Sequence, residues 1–365
     1  MKTVLSFLIS VLFFNSCQRP SGSNSSDESS NSLPIEFKRI DVHSHFRYDR
    51  DCLIPLLDKW NMNTALVDVV AMDPTRNYTL WEALKNQYNK YPGRFYLCAS
   101  FAALNIDDPD FAQRTIEKLK KDIEAGARMV KVWKVHGMEI KDKSGNYIQI
   151  DDERIQPVWD FLTEQNIPVM AHIAEPEQAW RALEEGNSHY NYYKNHPQYH
   201  AYLHPEIPSW ETIIAARDNW IAKNPKLTIL AAHMGSMSHD LDLVAERLDK
   251  YPNMLVEPAA RFGDITDQDS KKVFDFFIKY QDRILYGTDL GFSEPQQPGD
   301  NTNPCDYLDE ILSIHWKYFS GSNSLNFNSP MISFPVKTNS LNLPDAVLRK
   351  FYYENALKLL TMAGK

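Results

Sequence analysis

The segment RIDVHSH, residues 39–45, alternates apolar and polar side chains as a β-strand does. With a period of two, the side chains of Asp41, His43 and His45 fall on one face of this strand. Two histidines separated by one strand residue direct both imidazoles toward the same point, as two ligands of one metal ion do. We therefore predict a strand here that carries a candidate pair of metal ligands.

Seven further segments have the apolar character of buried strands, and helical patterns separate them. They lie at residues 64–70, 95–99, 129–135, 168–172, 228–233, 254–257 and 284–286. Eight such strands, each followed by a helix, are the elements of a (β/α)8 barrel, and one barrel can occupy the whole chain of 365 residues. The alternative, an open doubly wound sheet, typically carries a glycine-rich phosphate loop, and the sequence has none of the known motifs. We predict one α/β domain, a TIM-like barrel over residues 34–365.

Two irregular stretches interrupt the alternation, at residues 186–208 and 321–343. Long loops inside a compact domain are often lids over an active site. The first stretch contains five tyrosines and four histidines, which favours an aromatic lid, although a solvated surface loop fits the same composition. We predict a lid-like insertion at 186–208. We assign no metal to its histidines, which are His189, His196, His200 and His204.

The composition excludes several classes of protein. Hydrophobic residues make up 43% of the chain and charged residues 24%, as in soluble globular proteins. The 39 basic and 48 acidic residues leave a net charge of −9, so a nucleic-acid partner is not expected. We expect a small-molecule partner instead, and the sequence leaves open whether the chain forms a homo-oligomer. The chain has four cysteines. If Cys17 is consumed by processing, the remaining Cys52, Cys98 and Cys305 include at least one free thiol or intermolecular bridge, and their disulfide state is also open.

The first residues have the character of an export signal. Lys2 is followed by an apolar run at residues 4–14, which is too short to cross a bilayer and typical of a signal peptide. The following Cys17 resembles the acylated cysteine of a bacterial lipoprotein, and a plain secretory signal is the alternative. Residues 18–33 are rich in Ser and Asn and predict a flexible tether. We expect a protein of the bacterial cell envelope that is anchored to the membrane by a lipid on Cys17.

Candidate catalytic groups stand where the predicted strands end. Besides His43 and His45, the fifth strand ends at His172, the sixth ends at His233, and the eighth leads into Asp289. The carboxyl ends of barrel strands surround one mouth, where TIM barrels carry their active sites. Burying these polar groups without partners would be unfavourable by roughly 1–3 kcal/mol each. Imidazole and carboxylate groups suit Zn²⁺ and similar ions, so the pattern predicts a divalent-metal site at this mouth.

These motifs resemble the amidohydrolase superfamily, and more narrowly its amidohydrolase-related branch, which holds hydrolases, lactonases and decarboxylases of the aminocarboxymuconate-semialdehyde type. The resemblance spans about residues 38–362. The segments that carry it are DVHSH at 41–45, His172, AHMG at 232–235, YGTD at 286–289 and ENA at 354–356.

The resemblance implies a metal-dependent barrel enzyme. It implies His43, His45, His172 and Asp289 as ligands of one divalent ion, with zinc expected, and His233 beside the ion as an acid, base or electrophile. Such an ion acidifies water and polarises a carbonyl group. Asp289 would then accept the proton of the attacking water and pass it to the leaving group.

Lys131, on the predicted fourth strand, bears on the number of ions. Binuclear members of the superfamily carry a carboxylated lysine on this strand, and in them His233 would become a ligand too. The alternative is an unmodified lysine that forms an ion pair or orients substrate. We favour one ion over two.

Three further residues near the predicted mouth are candidates for substrate binding. Glu175 lies just past His172, where it could contact a ligand or substrate or simply cap the next helix. Arg261 follows the seventh strand, where it could hold a substrate carboxylate or form an ordinary salt bridge. Trp133 follows Lys131 by two residues and is the third candidate.

The motifs favour hydrolysis of an amide or lactone of a small molecule, at a carbonyl C–N or C–O bond. A metal-dependent decarboxylase acting on a carboxylated small molecule is the alternative, because related barrels use the same ligand set. A non-enzymatic surface lipoprotein that binds a ligand is the second alternative, and the complete ligand set argues against it. The identity of the substrate depends on the shape of the loops, for which the sequence has no readable code.

Overall fold

The computed structural model describes residues 37–70, 74–292, 303–328 and 335–363, and the side chains of all of these except 74–79. The predicted signal peptide, Cys17 and the tether at 18–33 lie outside the described residues. Within the described ranges, no helix is both long and apolar enough to cross a membrane.

The core of the fold is a curved sheet of eight parallel strands with helices between them, which confirms the predicted TIM-like α/β barrel. The strand order β7-β6-β5-β4-β3-β2-β1-β8 follows the chain except where β8 returns to β1. Each strand from β2 to β7 therefore pairs with the strand that precedes it in sequence, and β8 pairs with β1. The strands are β1 Arg39–Phe46, β2 Met62–Val67, β3 Phe95–Ser100, β4 Ala127–Val132, β5 Val169–Ala171, β6 Ile229–Ala231, β7 Met254–Val256 and β8 Leu290–Phe292.

The eighth strand differs from its prediction at 284–286. The segment that forms a ladder with β1 is Leu290–Phe292, where Ser44 pairs with Leu290. The predicted segment instead fills the gap between β7 and β1: Leu285 N donates to Val256 O at 2.9 Å, and Val42 N donates to Tyr286 O at 3.0 Å. The barrel is thus closed by two short consecutive segments, and the turn between them contains Asp289.

The helices surround the sheet. A short π-helical segment, Lys350–Glu354, joins the last two helices. The helix Ser270–Lys279 begins where the side chain of Asp269 caps its first turn. In chain order the helices are Leu53–Lys59, Pro74–Lys90, Phe111–Glu124, Gln156–Glu164, Tyr190–Asn195, Trp210–Lys223, Leu241–Lys250, Phe262–Thr266, Ser270–Lys279, Pro304–Ser320, Asp345–Arg349 and Asn355–Leu360.

Both predicted irregular stretches acquire local structure. The insertion at 186–208 forms the helix Tyr190–Asn195 and two 3-10 turns. The stretch at 321–343 contains two strands, Ser324–Phe327 and Val336–Asn339, which pair antiparallel.

The core has two apolar layers. A small inner cluster fills the barrel and includes Ile40, Val42, Met129 and Leu230. A larger outer cluster lies between the sheet and the helices. Because the inner cluster occupies the interior near the strand starts, the polar groups at the strand ends are left to face the open mouth.

The tertiary structure determines the disulfide state of the described cysteines. Cys52, at the start of the helix after β1, forms a disulfide with Cys305, 253 residues further along the chain. Cys98 is buried and free. Among the described residues the odd cysteine is therefore an inaccessible core thiol.

Candidate metal centre

The predicted histidines and Asp289 meet at the mouth of the barrel. Oδ1 of Asp289 lies 2.9 Å from Nε2 of His45 and 3.2 Å from Nε2 of His43. Its other oxygen, Oδ2, lies 3.9 Å from Nε2 of His233. Ligand atoms of His43, His233 and Asp289 all lie within 4.8 Å of one another. The groups are contributed by β1, the end of β6 and the turn before β8, so three distant parts of the chain contribute to one site.

His172 reaches this cluster through His233. Its Nδ1 lies 3.1 Å from Nε2 of His233, and the two rings are 4.2 Å apart. Nε2 of His172 is buried without a hydrogen-bond partner among the described residues. The compact group of possible ligand atoms thus contains His233, which we predicted to lie beside the ion and not to bind it. His172, a predicted ligand, contacts this group through His233.

The orientation of each imidazole is set by its other nitrogen. Nδ1 of His45 contacts the carbonyl oxygen of Val67 at 3.0 Å, and Nδ1 of His233 contacts that of Ala259 at 2.7 Å. A carbonyl oxygen can only accept, so in both rings Nδ1 carries the proton and Nε2 presents its lone pair. Metal-binding histidines are oriented in this way.

Glu257 performs the same task for His43, and sequence reasoning missed it. Its carboxylate lies 2.8 Å from Nδ1 of His43 and also accepts the backbone N–H of His233 at 3.1 Å. The residue is completely buried at the end of β7. An acid that ends an otherwise apolar buried strand was the available signal, because a buried carboxylate requires partners.

Asp41 also departs from its predicted position. The register between β1 and β2 shifts between Asp41 and Ser44, which breaks the period of two. Asp41 accepts hydrogen bonds from the hydroxyl of Thr288 at 2.6 Å and from the backbone N–H of His43 at 2.9 Å. It therefore holds the turn that carries Asp289 and does not join the cluster.

Two of the central residues occupy left-handed backbone conformations. His233 has φ of 59° and Asp289 has φ of 62°. Met234, Gly235 and Ser236 continue the left-handed turn after β6. Non-glycine residues adopt such angles rarely, and they do so most often where a site requires a particular side-chain direction. The predicted strand at 228–233 consequently ends at Ala231.

Burial and mutual contacts determine the charge of the cluster. Burial lowers the pKa of His43, His172 and His233 well below the usual value for histidine, so these rings are neutral at pH 7. Burial by itself would raise the pKa of Asp289, whereas interaction with His43, His45 and His233, when these rings carry a proton toward it, lowers that pKa well below its usual range. Neutral imidazoles around an ionised carboxylate are the protonation states in which these groups bind metals.

Lys131 lies inside the same cluster. It is 1% exposed, and its Nζ is 3.1 Å from Nε2 of His43. Burial is the main reason that its pKa falls to about 8, and the nearby Asp289 and Glu257 counteract the decrease. The amine therefore faces the position that a cation would share with His43.

These residues fit a divalent cation. Nε2 of His45 faces a carboxylate oxygen of Asp289 at 2.9 Å although its proton is on Nδ1, and the buried Nε2 of His172 has no partner among the described residues. A bound cation would satisfy these acceptors, since ligands at bonds of about 2 Å stand roughly 3–4 Å apart. His45 and Asp289 are the partly exposed members, so the cluster is accessible from the mouth.

The substrate candidates occupy the rim next to this cluster. Glu175 is buried and forms an ion pair with Lys134, and Nη2 of Arg261 lies 3.9 Å from it. The ring of Trp133 contacts that of Tyr199 from the insertion, with centroids 6.5 Å apart. Lys134 is a second residue that the sequence reasoning did not select.

The histidines of the insertion bind within the protein and away from the cluster. His189 pairs with Asp264 at 3.0 Å, which fastens the insertion to the helix after β7. The rings of His196, His200 and His204 each contact a backbone carbonyl oxygen. No metal group among the described residues includes any of them.

This chain is similar to one protein family and to several solved structures. An amidohydrolase family model matches residues 40–362. No curated protein matches the sequence. Among solved structures, 2,6-dihydroxybenzoate decarboxylase from Rhizobium superimposes with a TM-score of 0.52 at 16% identity, covering 89% of this chain and 99% of the other.

Two more solved structures are similar. Dihydroxybenzoic acid decarboxylase from Polaromonas sp. JS666, with bound manganese and the inhibitor 2-nitroresorcinol, has a TM-score of 0.51 at 19% identity and covers 89% of this chain and 97% of its own. The 5-carboxyvanillate decarboxylase from Sphingomonas paucimobilis has a TM-score of 0.50 at 12% identity, with 89% and 99% covered. At these identities the likeness extends to the fold.

Proposed function

This chain belongs to the amidohydrolase family, and we propose on that premise that it is a metal-dependent hydrolase of small amides or lactones. The observation that supports this most directly is the contact of one carboxylate, Asp289, with Nε2 of both His43 and His45. We propose His43, His45, His172 and Asp289 as ligands, with His233 either completing the set or acting beside it.

The residues of the site divide the chemistry between them. A bound divalent ion supplies Lewis acidity toward a carbonyl oxygen and acidifies water near neutral pH. Asp289 accepts a proton from the attacking water and delivers it to the leaving nitrogen or oxygen. Because Nδ1 of His233 donates to Ala259, its Nε2 acts as an acceptor, which suits a ligand or a base and not an oxyanion donor.

Decarboxylation is the second candidate function. The solved structures from Rhizobium, Polaromonas and Sphingomonas are named as decarboxylases of aromatic acids. Arg261 and Lys134 place cationic groups at the rim, where a substrate carboxylate could bind. This candidate predicts release of carbon dioxide and consumption of a proton, whereas lactone or amide hydrolysis yields a new carboxylate.

The test combines metal analysis with a substrate screen. Purified protein is assayed for metal content and then screened, with and without chelator, on lactones, amides and carboxylated aromatics. We expect chelator-sensitive turnover that is lost by at least about a hundredfold in Asp289→Asn, as removal of a general base implies. Asp242→Asn, at an exposed aspartate, is the matched control and should keep full activity. Full turnover by Asp289→Asn with metal bound, or a metal-free protein, would contradict the proposal.

The number and identity of the ions form a separate proposal. We propose one ion, zinc, although manganese accompanies the Polaromonas protein and suits the same mixed ligands. The contact of Lys131 with His43 favours the two-ion alternative, in which a carboxylated Lys131 bridges the ions. Two ions per chain by metal counting, together with an added mass on Lys131, would establish that alternative.

We further propose export and lipidation at Cys17. The disulfide between Cys52 and Cys305 supports this, since such bonds persist in oxidising compartments. The expected result is partition of the native protein into detergent, and of Cys17→Ser into the aqueous phase. Aqueous partition of both would contradict lipidation.

A further inference from the structure

A group of three buried charges lies beside the candidate metal centre. Lys134 follows Lys131 by three residues, Glu175 follows His172 by three, and Arg261 comes five residues after the end of β7. All are contributed by segments just past strand ends, so they stand at the same mouth as the metal centre. They are only 2%, 2% and 8% exposed, respectively.

The contacts of these residues leave Arg261 incompletely paired. The ammonium of Lys134 donates to Oε1 of Glu175, and the hydroxyl of Tyr193 lies 3.4 Å from Oε2. Nη2 of Arg261 is 3.9 Å from that same oxygen, and Nη1 donates to the carbonyl of Ala260 at 3.0 Å. Nε of Arg261 is buried with no hydrogen-bond partner among the described residues.

The charges of the group do not cancel. Two cations share one carboxylate, which leaves one net positive charge in a buried position. Glu139 interacts electrostatically with Lys134, but it forms no ion pair with this group among the described residues. A buried charge without a full complement of partners is unfavourable, so a singly charged anion would complete the group.

Arg261 also faces the metal centre. Ala259, two residues earlier, accepts a hydrogen bond from His233. An anion held by this guanidinium would therefore lie next to the candidate ligands.

Aromatic rings from the insertion border the same space. The ring of Tyr199 lies under the ammonium of Lys134, with its centroid 3.7 Å away. Tyr192 stacks on Tyr199 at an interplanar angle of 8°, and Trp133 approaches Tyr199 from β4. Tyr192 and Tyr199 are thus parallel, whereas Trp133 meets Tyr199 at 72°, so the three rings form an aromatic corner against which a planar molecule can pack.

We propose that Arg261, supported by Lys134 and Glu175, forms a subsite for the carboxylate of a planar, unsaturated acid whose body lies along the rings of Tyr192, Tyr199 and Trp133. The role of this subsite in substrate binding rests on the proposed function, but the binding of an acid to it can be measured without turnover. A carboxylate matches the single net charge of the group and the paired donors of a guanidinium.

The experiment compares benzoate with benzamide, which has the same shape and no charge. Binding to the full protein is measured by calorimetry, both metal-loaded and after chelation, in the wild type, Arg261→Gln, Arg261→Lys and the surface control Arg154→Gln. We expect benzoate to bind about tenfold or more tightly than benzamide, as a hydrogen bond to a charged group implies. The preference should persist without metal, disappear in Arg261→Gln, return in part in Arg261→Lys and be unchanged in Arg154→Gln.

Glu175→Gln supplies an opposite test, because removing the anion should leave benzoate bound at least as tightly. Circular dichroism and the metal content of each variant verify that it is folded. Equal binding of both probes, no binding of either, or a preference that survives in Arg261→Gln would overturn the subsite. None of these outcomes depends on catalysis. A result that contradicts the subsite can therefore be distinguished from one that contradicts the proposed hydrolase activity.

Discussion

Three of the candidate histidines are oriented by a hydrogen-bond acceptor at Nδ1, the ring nitrogen that points away from Asp289. His43 is held by Glu257, His45 by the carbonyl of Val67, and His233 by that of Ala259. Because all three partners accept, all three Nε2 atoms are left with lone pairs toward Asp289. Residue identity alone suggests a metal, but these partners determine which nitrogen is available to it.

Glu257 is the positioning residue with the largest expected effect. Glu257→Gln keeps the shape but removes the negative charge that stabilises the His43 proton, so we expect metal affinity to fall by about 10–100-fold. Competition with a chromogenic chelator measures this affinity directly. Glu246→Gln, at an exposed glutamate, is the matched control. Unchanged affinity in Glu257→Gln would show that the contact is only structural.

The same residues predict how stability depends on pH in metal-free protein. The folded-state pKa values of His43, His172 and His233 lie below the unfolded value near 6.5, so acid protonates the unfolded chain first. Stability is thus present above about pH 6.5 and decreases below it, by up to about 1.4 kcal/mol per pH unit for each ring. Asp289, with a depressed pKa, adds a further loss below about pH 4.

Urea unfolding between pH 5 and 8 in chelator measures this slope. His172→Gln should reduce it by about one sixth, since burial also lowers the pKa of five other rings, those of His43, His45, His136, His233 and His315. A free energy of unfolding that stays constant from pH 7 to 5 would contradict the neutral, buried state of these imidazoles.

At the scale of elements, the site depends on turns that follow short strands. The left-handed residues after β6 and before β8 place His233 and Asp289 opposite β1. Sequence patterns predicted these strands within a few residues. They did not predict the residues at which the strands end, because the apolar character of the sequence continues beyond the last backbone hydrogen bond between strands. A left-handed conformation at histidine or aspartate has no strong local signal, since tertiary contacts impose it.

Gly291 tests the closure between β8 and β1. A Cβ atom at this position would stand 2.1 Å from the backbone oxygen of His45, which no side-chain rotation can relieve. We expect Gly291→Ala to lower the free energy of unfolding by roughly 2–4 kcal/mol and to weaken metal binding through His45. Gly145→Ala is the control, because its Cβ meets no atom within 4 Å and only its positive φ opposes the change, at about 1 kcal/mol. Equal melting and metal affinity of the two variants would contradict this account.

At the scale of the whole molecule, the disulfide joins the helix after β1 to the helix Pro304–Ser320. Cys52 and Cys305 are separated by 253 residues, so the bond restricts the unfolded chain strongly. We expect Cys52→Ala with Cys305→Ala to lose about 2–5 kcal/mol of unfolding free energy. Denaturant titration with and without reductant measures the loss. Reductant should destabilise the wild type to the level of the double variant and leave that variant unchanged, and a wild type indifferent to reductant would contradict the bond.

The barrel and its candidate ligands could be predicted from the sequence, because both follow from the regular alternation of strands and helices along the chain. Alternation of strands and helices identifies a barrel, and barrel strands bring their carboxyl ends to one mouth whatever the order of residues between them. His43, His45, His233 and Asp289 could therefore be placed together without coordinates.

Only the tertiary structure identified the residues whose role depends on a partner far away in sequence. Glu257 beside His43, Lys134 beside Glu175 and Cys52 beside Cys305 are pairs that no local pattern encodes. Their separation is fixed by how the barrel closes and by how the 186–208 insertion packs on it. Local sequence determines the direction of a strand, whereas only packing determines which buried charge finds which partner.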